Sequence, residues 1–191
     1  GLALEDFNKV ILFRPDAKAY NARGSVLASL KRYTEALADF DKAIQLQPIY
    51  PGAVYERAMT FEKMGNVAKA IENYTLAINQ KPGYGNAHLA RGRLYEKGGR
   101  QAEALADYSK AIASDANDAG ALYARGSLNF KNGKVDIAEP DLKRAGELNS
   151  VYATLANSLR VQARSEAILA KSANVLTQNP PPTTPAPAAP S

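Results

Sequence analysis

The stretch "YNARGSVLASLKRYTEALADFDKAI", residues 20–44, decides the fold because an arginine inside it returns along the chain. Arg23 stands beside Gly24, in what otherwise reads as the apolar stripe of an amphipathic helix. The arginine recurs every 34 residues, each time before a glycine or an alanine. Its four copies, the arginine column, are Arg23, Arg57, Arg91 and Arg125. The chain is therefore a repeat array, in which neighbouring units stabilise one another.

Each unit is predicted to be a helical hairpin. Three more columns keep their residue class at the 34-residue interval: Ala36, Ala70, Ala104 and Ala138; Phe40, Tyr74, Tyr108 and Leu142; Ala43, Ala77, Ala111 and Ala145. Within a unit these positions are four and seven residues apart, which is one face of a helix. A stripe with helical spacing, such as Tyr20, Gly24 and Leu27, precedes them. Three units place a glycine between the stripes, where a left-handed residue ends a helix: Gly65, Gly99 and Gly133.

The period and its columns resemble the tetratricopeptide repeat family, whose unit is a helix–turn–helix of about 34 residues. The RG pairs, with "ADFDKAI" at 38–44 and "ADYSKAI" at 106–112, are similar to a bacterial-type subgroup of that family. The resemblance implies an all-α fold, a right-handed superhelical solenoid of stacked hairpins with a C-terminal capping helix. Within residues 16–150 it covers four units, at about 17–50, 51–84, 85–118 and 119–150.

The flanking segments differ from the full units. Residues 1–15 match the second helix of a unit down to Pro15, and they are predicted to be what remains of a truncated N-terminal repeat. Residues 151–178 have no glycine or proline and are predicted to form a capping helix, as one helix or two, over the open face of the last hairpin. The proline-rich residues 179–191 are expected to be a disordered tail.

Proline positions predict where helices end. Pro48 and Pro82 close the second helices of their units, and Ala116 and Ser150 replace them in the later units, so looser boundaries are expected there. Pro140 falls near the start of the fourth unit's second helix. That helix is expected to begin late or to bend.

Composition excludes several functional classes. The chain has no cysteine, and His88 is its one histidine, which is read as a packed helix residue, so thiolate chemistry and histidine-based metal or catalytic clusters are excluded. The net charge of +5 is spread along the chain and does not favour nucleic acid. No apolar run approaches a membrane span. We predict no enzyme activity, cofactor, metal or small-molecule substrate, and localisation stays open between the cytoplasm and a bacterial periplasm or envelope.

The arginine column needs hydrogen-bonding partners, because an unpaired buried charge costs several kcal/mol. One residue before the aromatic column stands an acid or an amide: Asp39, Asn73, Asp107 and Asp141. We therefore predict a structural role for the arginines and these acids. Arg57 would pair with Asp39 across hairpins, and Arg125 with Asp107 in the same way, or each would pair with the acid of its own unit. The alternative is a row of ligand-binding cations.

In this architecture the first helices line the concave wall, so their residues outside the packing stripe are candidates for partner contact. They are Asn21, Ser25, Tyr55, Met59, Lys63, Leu89, Arg93, Lys97, Tyr123, Ser127, Phe130 and Lys131. Three of these lysines recur at 34-residue spacing, and together with the apolar members they suit a peptide that carries acidic groups. Alternatively, the lysines are only the solvated ends of helices, where a cation favours the dipole.

These features predict a protein–protein interaction module, an adaptor or scaffold that binds a peptide or protein in its concave groove. One alternative is a module that self-assembles into a homo-oligomer through its terminal helices, and another is the recognition arm of a larger enzyme. The clamp with which some family members hold chaperone C-termini is disfavoured. Asn21 agrees with it, but four residues depart from it: Ser25, Glu56, Asn86 and Ala90.

Overall fold

The structure is a computed structural model that describes the backbone of residues 2–178 and the side chains of residues 4–169. In that part the chain forms ten helices: α1 (Leu2–Phe13), α2 (Ala17–Ser29), α3 (Tyr33–Leu46), α4 (Pro51–Lys63), α5 (Val67–Gln80), α6 (Gly85–Lys97), α7 (Gln101–Ser114), α8 (Ala119–Lys131), α9 (Val135–Leu148) and α10 (Ser150–Gln178). Among these helices, none is long and apolar enough to cross a membrane.

The helices pack as a row of hairpins. The pairs α2–α3, α4–α5, α6–α7 and α8–α9 form the four hairpins, and the second helix of each one contacts the first helix of the next. The two alanine columns of the second helices are fully buried, so the helices approach closely through small side chains. The predicted all-α solenoid of stacked hairpins is confirmed.

Within a hairpin a small residue faces a large one. A Cβ atom built on Gly24 would lie 2.8 Å from the ring of Phe40, and one on Gly92 would lie 2.7 Å from the ring of Tyr108. Both rings are fully buried. The glycine therefore lets the aromatic ring lie against the backbone of the first helix, which sets the distance between the two helices.

The hairpin turns need one residue in the left-handed region. Gly65, Gly99 and Gly133 have φ of 77°, 75° and 74°, as their spacing predicts. The first hairpin places Lys31 there, with a φ of 62°. A glycine search cannot find this turn, because a residue with a side chain occupies its left-handed position.

Pro140 does not delay its helix. α9 begins at Val135, which corresponds to Gln101 of α7, and Pro140 lies inside it. The expected late start is wrong. Proline removes one N–H from the helix, whereas Ala138 and Leu142 bury their side chains on either side of it and hold the helix against its neighbours.

The helix ends without a following proline are as well defined as the others. α7 and α9 end at the same position of the unit as α3 and α5. The next residues, Asp115 and Asn149, donate their backbone N–H to the buried alanine carbonyls of Ala111 and Ala145. The looser boundaries expected there are not observed, because the same cap closes all four second helices.

α10 is one continuous helix rather than two, and it packs on α9 and α8. Ala156 is buried in this contact, and the Arg160 guanidinium donates to the Glu139 carboxylate at 2.9 Å. The predicted tail at 179–191 lies outside the described residues.

Candidate partner-binding groove

The structure pairs each member of the arginine column with the acid or amide 16 residues further on, in its own hairpin. Arg23 donates through Nε and Nη2 to Asp39, both at 2.7 Å, in the bidentate geometry that suits a guanidinium and a carboxylate. The equivalent bonds are Arg91 to Asp107 at 2.8 and 2.8 Å, Arg125 to Asp141 at 2.7 and 2.9 Å, and Arg57 to the Asn73 amide oxygen at 2.8 Å.

The remaining guanidinium nitrogen of each arginine reaches back to the preceding hairpin or to α1. Its acceptors are Asn8 for Arg23 at 2.9 Å, Asp41 for Arg57 at 2.5 Å, Thr75 for Arg91 at 2.8 Å and Ser109 for Arg125 at 3.2 Å. This second column of acceptors was not predicted from the sequence. Its signal is a short polar residue directly after the aromatic position in successive units.

The cross-hairpin pairings, Arg57 with Asp39 and Arg125 with Asp107, are not present. Asp39 already accepts two bonds from Arg23, the arginine that faces it across the same hairpin. Hydrogen bonding to Asp39 is the main reason why the pKa of Arg23 lies above its usual value. The column thus directs its guanidinium groups to acceptors within the chain, in two successive hairpins.

His88 lies beside this column and is almost fully buried. Its Nδ1 is 3.0 Å from a carboxylate oxygen of Asp107, and its Nε2 is 3.0 Å from the carbonyl oxygen of Pro82. Both ring nitrogens therefore have protein partners, and the imidazole faces no open site.

The inner faces of α4 and α6 enclose an open pocket of about 400 Å³, the central pocket. It is lined by Tyr55, Met59, Glu62, Lys63, Tyr74, Ala90, Arg93 and Lys97. Five of these residues were predicted for the groove. The other three are Glu62, Tyr74 and Ala90, which sequence reasoning assigned to other roles or left out.

One wall of the central pocket is aromatic. The ring of Tyr55 packs against the rings of Tyr74 and Tyr84, with centroids 5.6 and 5.1 Å apart. The Tyr74 hydroxyl donates to the Glu62 carboxylate at 2.7 Å. Burial raises the pKa of Tyr55 to about 12, so its hydroxyl remains a hydrogen-bond donor well above physiological pH.

Three cations line the central pocket. Lys63, Arg93 and Lys97 are exposed, and none of their side chains forms a hydrogen bond or close ion pair within the described residues. The neighbouring carboxylates differ, since Glu62 is bonded to Tyr74 and Glu96 accepts from the Tyr108 hydroxyl at 2.7 Å. The pocket therefore presents three cations whose donors are not engaged within the described residues, next to the carboxylate of Glu62.

Glu56 adds an unpaired carboxylate to the same face of α4. It is half-buried, and across the part of the chain that the structure describes it has no hydrogen bond or ion pair. Burial raises the pKa of Glu56, while the charge of Lys63 lowers it by a smaller amount. The matching position of the other units is alanine: Ala22, Ala90 and Ala124. That break in the column is the signal that could have singled out Glu56.

Two of the predicted groove residues are buried in the core of the protein. Leu89 is 9% exposed and packs in the core with Tyr108 and Ala124. Ser127 is 4% exposed, and its hydroxyl donates to the Ala124 carbonyl at 3.1 Å. The third and fourth units therefore expose fewer residues on their concave face than helix positions alone predict.

The remaining predicted residues lie at the two ends of the groove. α10 covers the fourth unit, where Tyr123 stacks on Tyr152 with centroids 5.1 Å apart. Phe130 and Lys131 border α10 as well. At the other end, the Ser25 hydroxyl donates to the Asn21 carbonyl at 3.1 Å. The central pocket is therefore where the largest number of the predicted groove residues come together.

Stacked helical hairpins with these columns define a class of helical repeat proteins, and comparison with known families agrees. Tetratricopeptide repeat models match residues 17–50 and 51–84, and a TPR repeat model matches residues 92–133. The chain belongs to the tetratricopeptide repeat family, which makes it, in general terms, a protein-interaction module. No curated protein matches the sequence significantly.

Solved structures of this fold are similar to the chain. TTC0263, a TPR protein of Thermus thermophilus, is 27% identical with a TM-score of 0.62, over 87% of this chain and 93% of that one. MamA is 20% identical with a TM-score of 0.67, over 79% and 89% of the two chains. YrrB, described as a TPR protein with an unusual peptide-binding site, is 21% identical with a TM-score of 0.63, over 81% of each chain.

Proposed function

We propose that the central pocket binds an acidic peptide segment of a partner protein, and that the chain acts as an adaptor or scaffold rather than as a catalyst. The observation that carries this proposal is a set of three cations, on two neighbouring first helices beside an aromatic wall, that have no partner among the residues the structure describes. Charge without an internal partner, next to apolar surface, is what an anionic ligand needs.

The side chains of the pocket would bind the ligand through different kinds of interaction. A carboxylate on the ligand would take two parallel hydrogen bonds from Arg93, whereas Lys63 and Lys97 act as point charges. Tyr55 and Met59 would supply apolar contact, and a tyrosine held by ring packing loses little entropy on binding. The structural relative YrrB is described as having a peptide-binding site, which supports a peptide as the class of ligand.

The test is selection from a randomised twelve-residue peptide library displayed on phage. The wild-type protein is expected to enrich sequences that contain Asp or Glu, and Arg93→Glu/Lys97→Glu is expected to lose them. A control with the same charge change, Lys110→Glu/Lys134→Glu, alters exposed lysines outside the pocket and should retain the wild-type selection. Enrichment of no common sequence, or equal binding by the pocket variant, would overturn the proposal.

A second candidate is self-association through the terminal helices. Large apolar side chains are exposed on both: Leu12 and Phe13 on α1 at 82% and 91%, and Val161 and Leu169 on α10 at 61% and 69%. If these surfaces meet between copies, sedimentation equilibrium would show a concentration-dependent oligomer that Leu12→Ser/Phe13→Ser abolishes. A monomer at all concentrations would exclude this candidate.

A further inference from the structure

We infer that the partner segment carries a basic side chain close to its acidic group, and that Glu56 binds that base. The inference rests on the proposed function, since it concerns the same pocket and the same ligand. It makes the ligand dipolar, with one part held by the cations of the pocket and the other by a carboxylate.

The position of Glu56 is the first observation. It lies on the concave face of α4, where the matching residue of the other three units is alanine. Packing therefore does not require a carboxylate here. A half-buried carboxylate with no hydrogen bond or ion pair among the described residues loses water contacts, and the charge of Lys63 offsets only part of that cost in the free protein. A side chain that costs stability and fills no structural role is expected to act on a ligand.

The surroundings of Glu56 favour a cation as its partner. Burial, and then the charge of Glu56, raise the pKa of Tyr84, so this carboxylate is close to the Tyr84 hydroxyl. Tyr84 packs in turn on Tyr55. Tyrosine faces attract ammonium and guanidinium groups, and a carboxylate forms its strongest hydrogen bonds with them. A neutral amide donor would satisfy the oxygen atoms but would not be attracted to the Tyr55 ring. The Tyr84 ring already has the Lys81 ammonium over it, 5.0 Å from its centroid.

The charged side chains around Glu56 lie on two helices, α4 and α6. Lys63, on the same helix, acts on Glu56 electrostatically but forms no hydrogen bond with it. Glu62 is occupied by the Tyr74 hydroxyl, and the other cations, Arg93 and Lys97, lie on α6. Within the described residues, Glu56 is thus the carboxylate of this face with both oxygens open to a ligand cation, whereas Glu62 has one oxygen engaged.

Helix geometry sets the spacing of the two charges on the ligand. Glu56 and Lys63 are seven residues apart on α4, which at 1.5 Å per residue is about 10 Å. An extended peptide rises about 3.3 Å per residue. The base and the acid of the ligand are therefore expected within about three residues of each other.

The same phage library tests the inference when it is applied to wild type, Glu56→Gln and Glu72→Gln. Wild type should select peptides with Lys or Arg within about three residues of Asp or Glu. Glu56→Gln should keep the acidic preference and lose the basic one, and its Kd for a wild-type-selected peptide should rise at least about tenfold. Glu72 is exposed on α5, outside the pocket, so Glu72→Gln should behave as wild type.

The outcomes separate the two proposals. If Glu56→Gln selects the same basic residues and binds the wild-type peptide equally well, the inference is wrong while acidic peptide binding stands. If the wild-type peptides are not acidic, do not depend on Arg93, or do not appear at all, the proposed function fails and the inference fails with it.

Discussion

Arg91 and Arg93 lie two residues apart on α6 and have opposite surroundings. Arg91 donates twice to Asp107 and once to Thr75, and its side chain is 16% exposed. Arg93 is exposed in the central pocket and has no hydrogen bond or ion pair among the described residues. The same residue type thus serves the packing of hairpins on one face and offers charge to a partner on the other.

This difference shows that the role of a charged residue in this protein depends on whether its side chain already has a partner within the fold. A guanidinium whose N–H groups already donate to acceptors in the protein stabilises the fold but has few donors left for a ligand. A guanidinium without such acceptors contributes little to folding. Stability and binding should therefore be separable by mutation within a single helical turn.

The largest effect is expected for Arg91→Leu. It removes both Arg91 hydrogen bonds to Asp107, which is 4% exposed and keeps its contact with His88, and breaking this buried charge pair should cost about 3 kcal/mol of unfolding free energy. Urea denaturation measures this loss. Arg91→Leu/Asp107→Leu should recover part of it, because both charges are then absent. A single variant within about 1 kcal/mol of wild type would show that the pair is not structural.

The next largest loss of stability is expected for a substitution of Gly92, which lies between the two arginines. In Gly92→Ala the new methyl group would lie 2.7 Å from the Tyr108 ring, so overpacking should cost about 1–3 kcal/mol. Thermal unfolding would show a lower Tm. Gly83→Ala is the control, since nothing lies within 4 Å of a Cβ at that position. An equal Tm for the two variants would mean that the glycine is not needed for this packing.

Arg93→Leu should separate binding from folding. Its unfolding free energy should stay within about 0.5 kcal/mol of wild type, because Arg93 has no hydrogen bond or ion pair in the part of the chain that the structure describes. Its affinity for a library-selected acidic peptide, measured by fluorescence anisotropy, should fall at least about tenfold. A clear loss of stability would show that Arg93 belongs with Arg91 and would break the comparison.

Glu56→Gln should give the smallest change, and that change is a gain in stability. Because burial raises the pKa of Glu56 in the folded state, its ionised form costs stability above that pKa, and the cost disappears below the unfolded value. The variant should therefore have a higher Tm than wild type at pH 7, and the same Tm at roughly pH 3, where the carboxyl is protonated in both states. Glu72→Gln should show no difference at either pH. A lower Tm for Glu56→Gln at pH 7 would mean that Glu56 stabilises the fold.

Much of the fold follows from the sequence. The 34-residue period places the helices, since small and aromatic residues recur where helices touch, and three of the four hairpin turns follow from glycine. The turn at Lys31 does not, because the backbone adopts a positive φ there without a glycine. Whether residues 151–178 form one helix or two does not either, since they lie outside the repeat.

The site was predictable in part. The columns identify the arginines and acids, but they cannot choose between partners 16 and 18 residues away, because both spacings repeat equally. Helix position identifies Tyr55 and Arg93 as concave. It cannot show that Leu89 is buried or that α10 covers Tyr123, since both depend on how neighbouring helices pack.

The central claim is that the face carrying Arg93 binds the partner. The most direct measurement is a titration of ¹⁵N-labelled protein with a library-selected acidic peptide, followed by amide chemical shifts. The account predicts shifts on α4 and α6 around Tyr55, Glu56 and Arg93, which Arg93→Leu weakens. Shifts centred on α10 or on the outer helices α5 and α7 would contradict it.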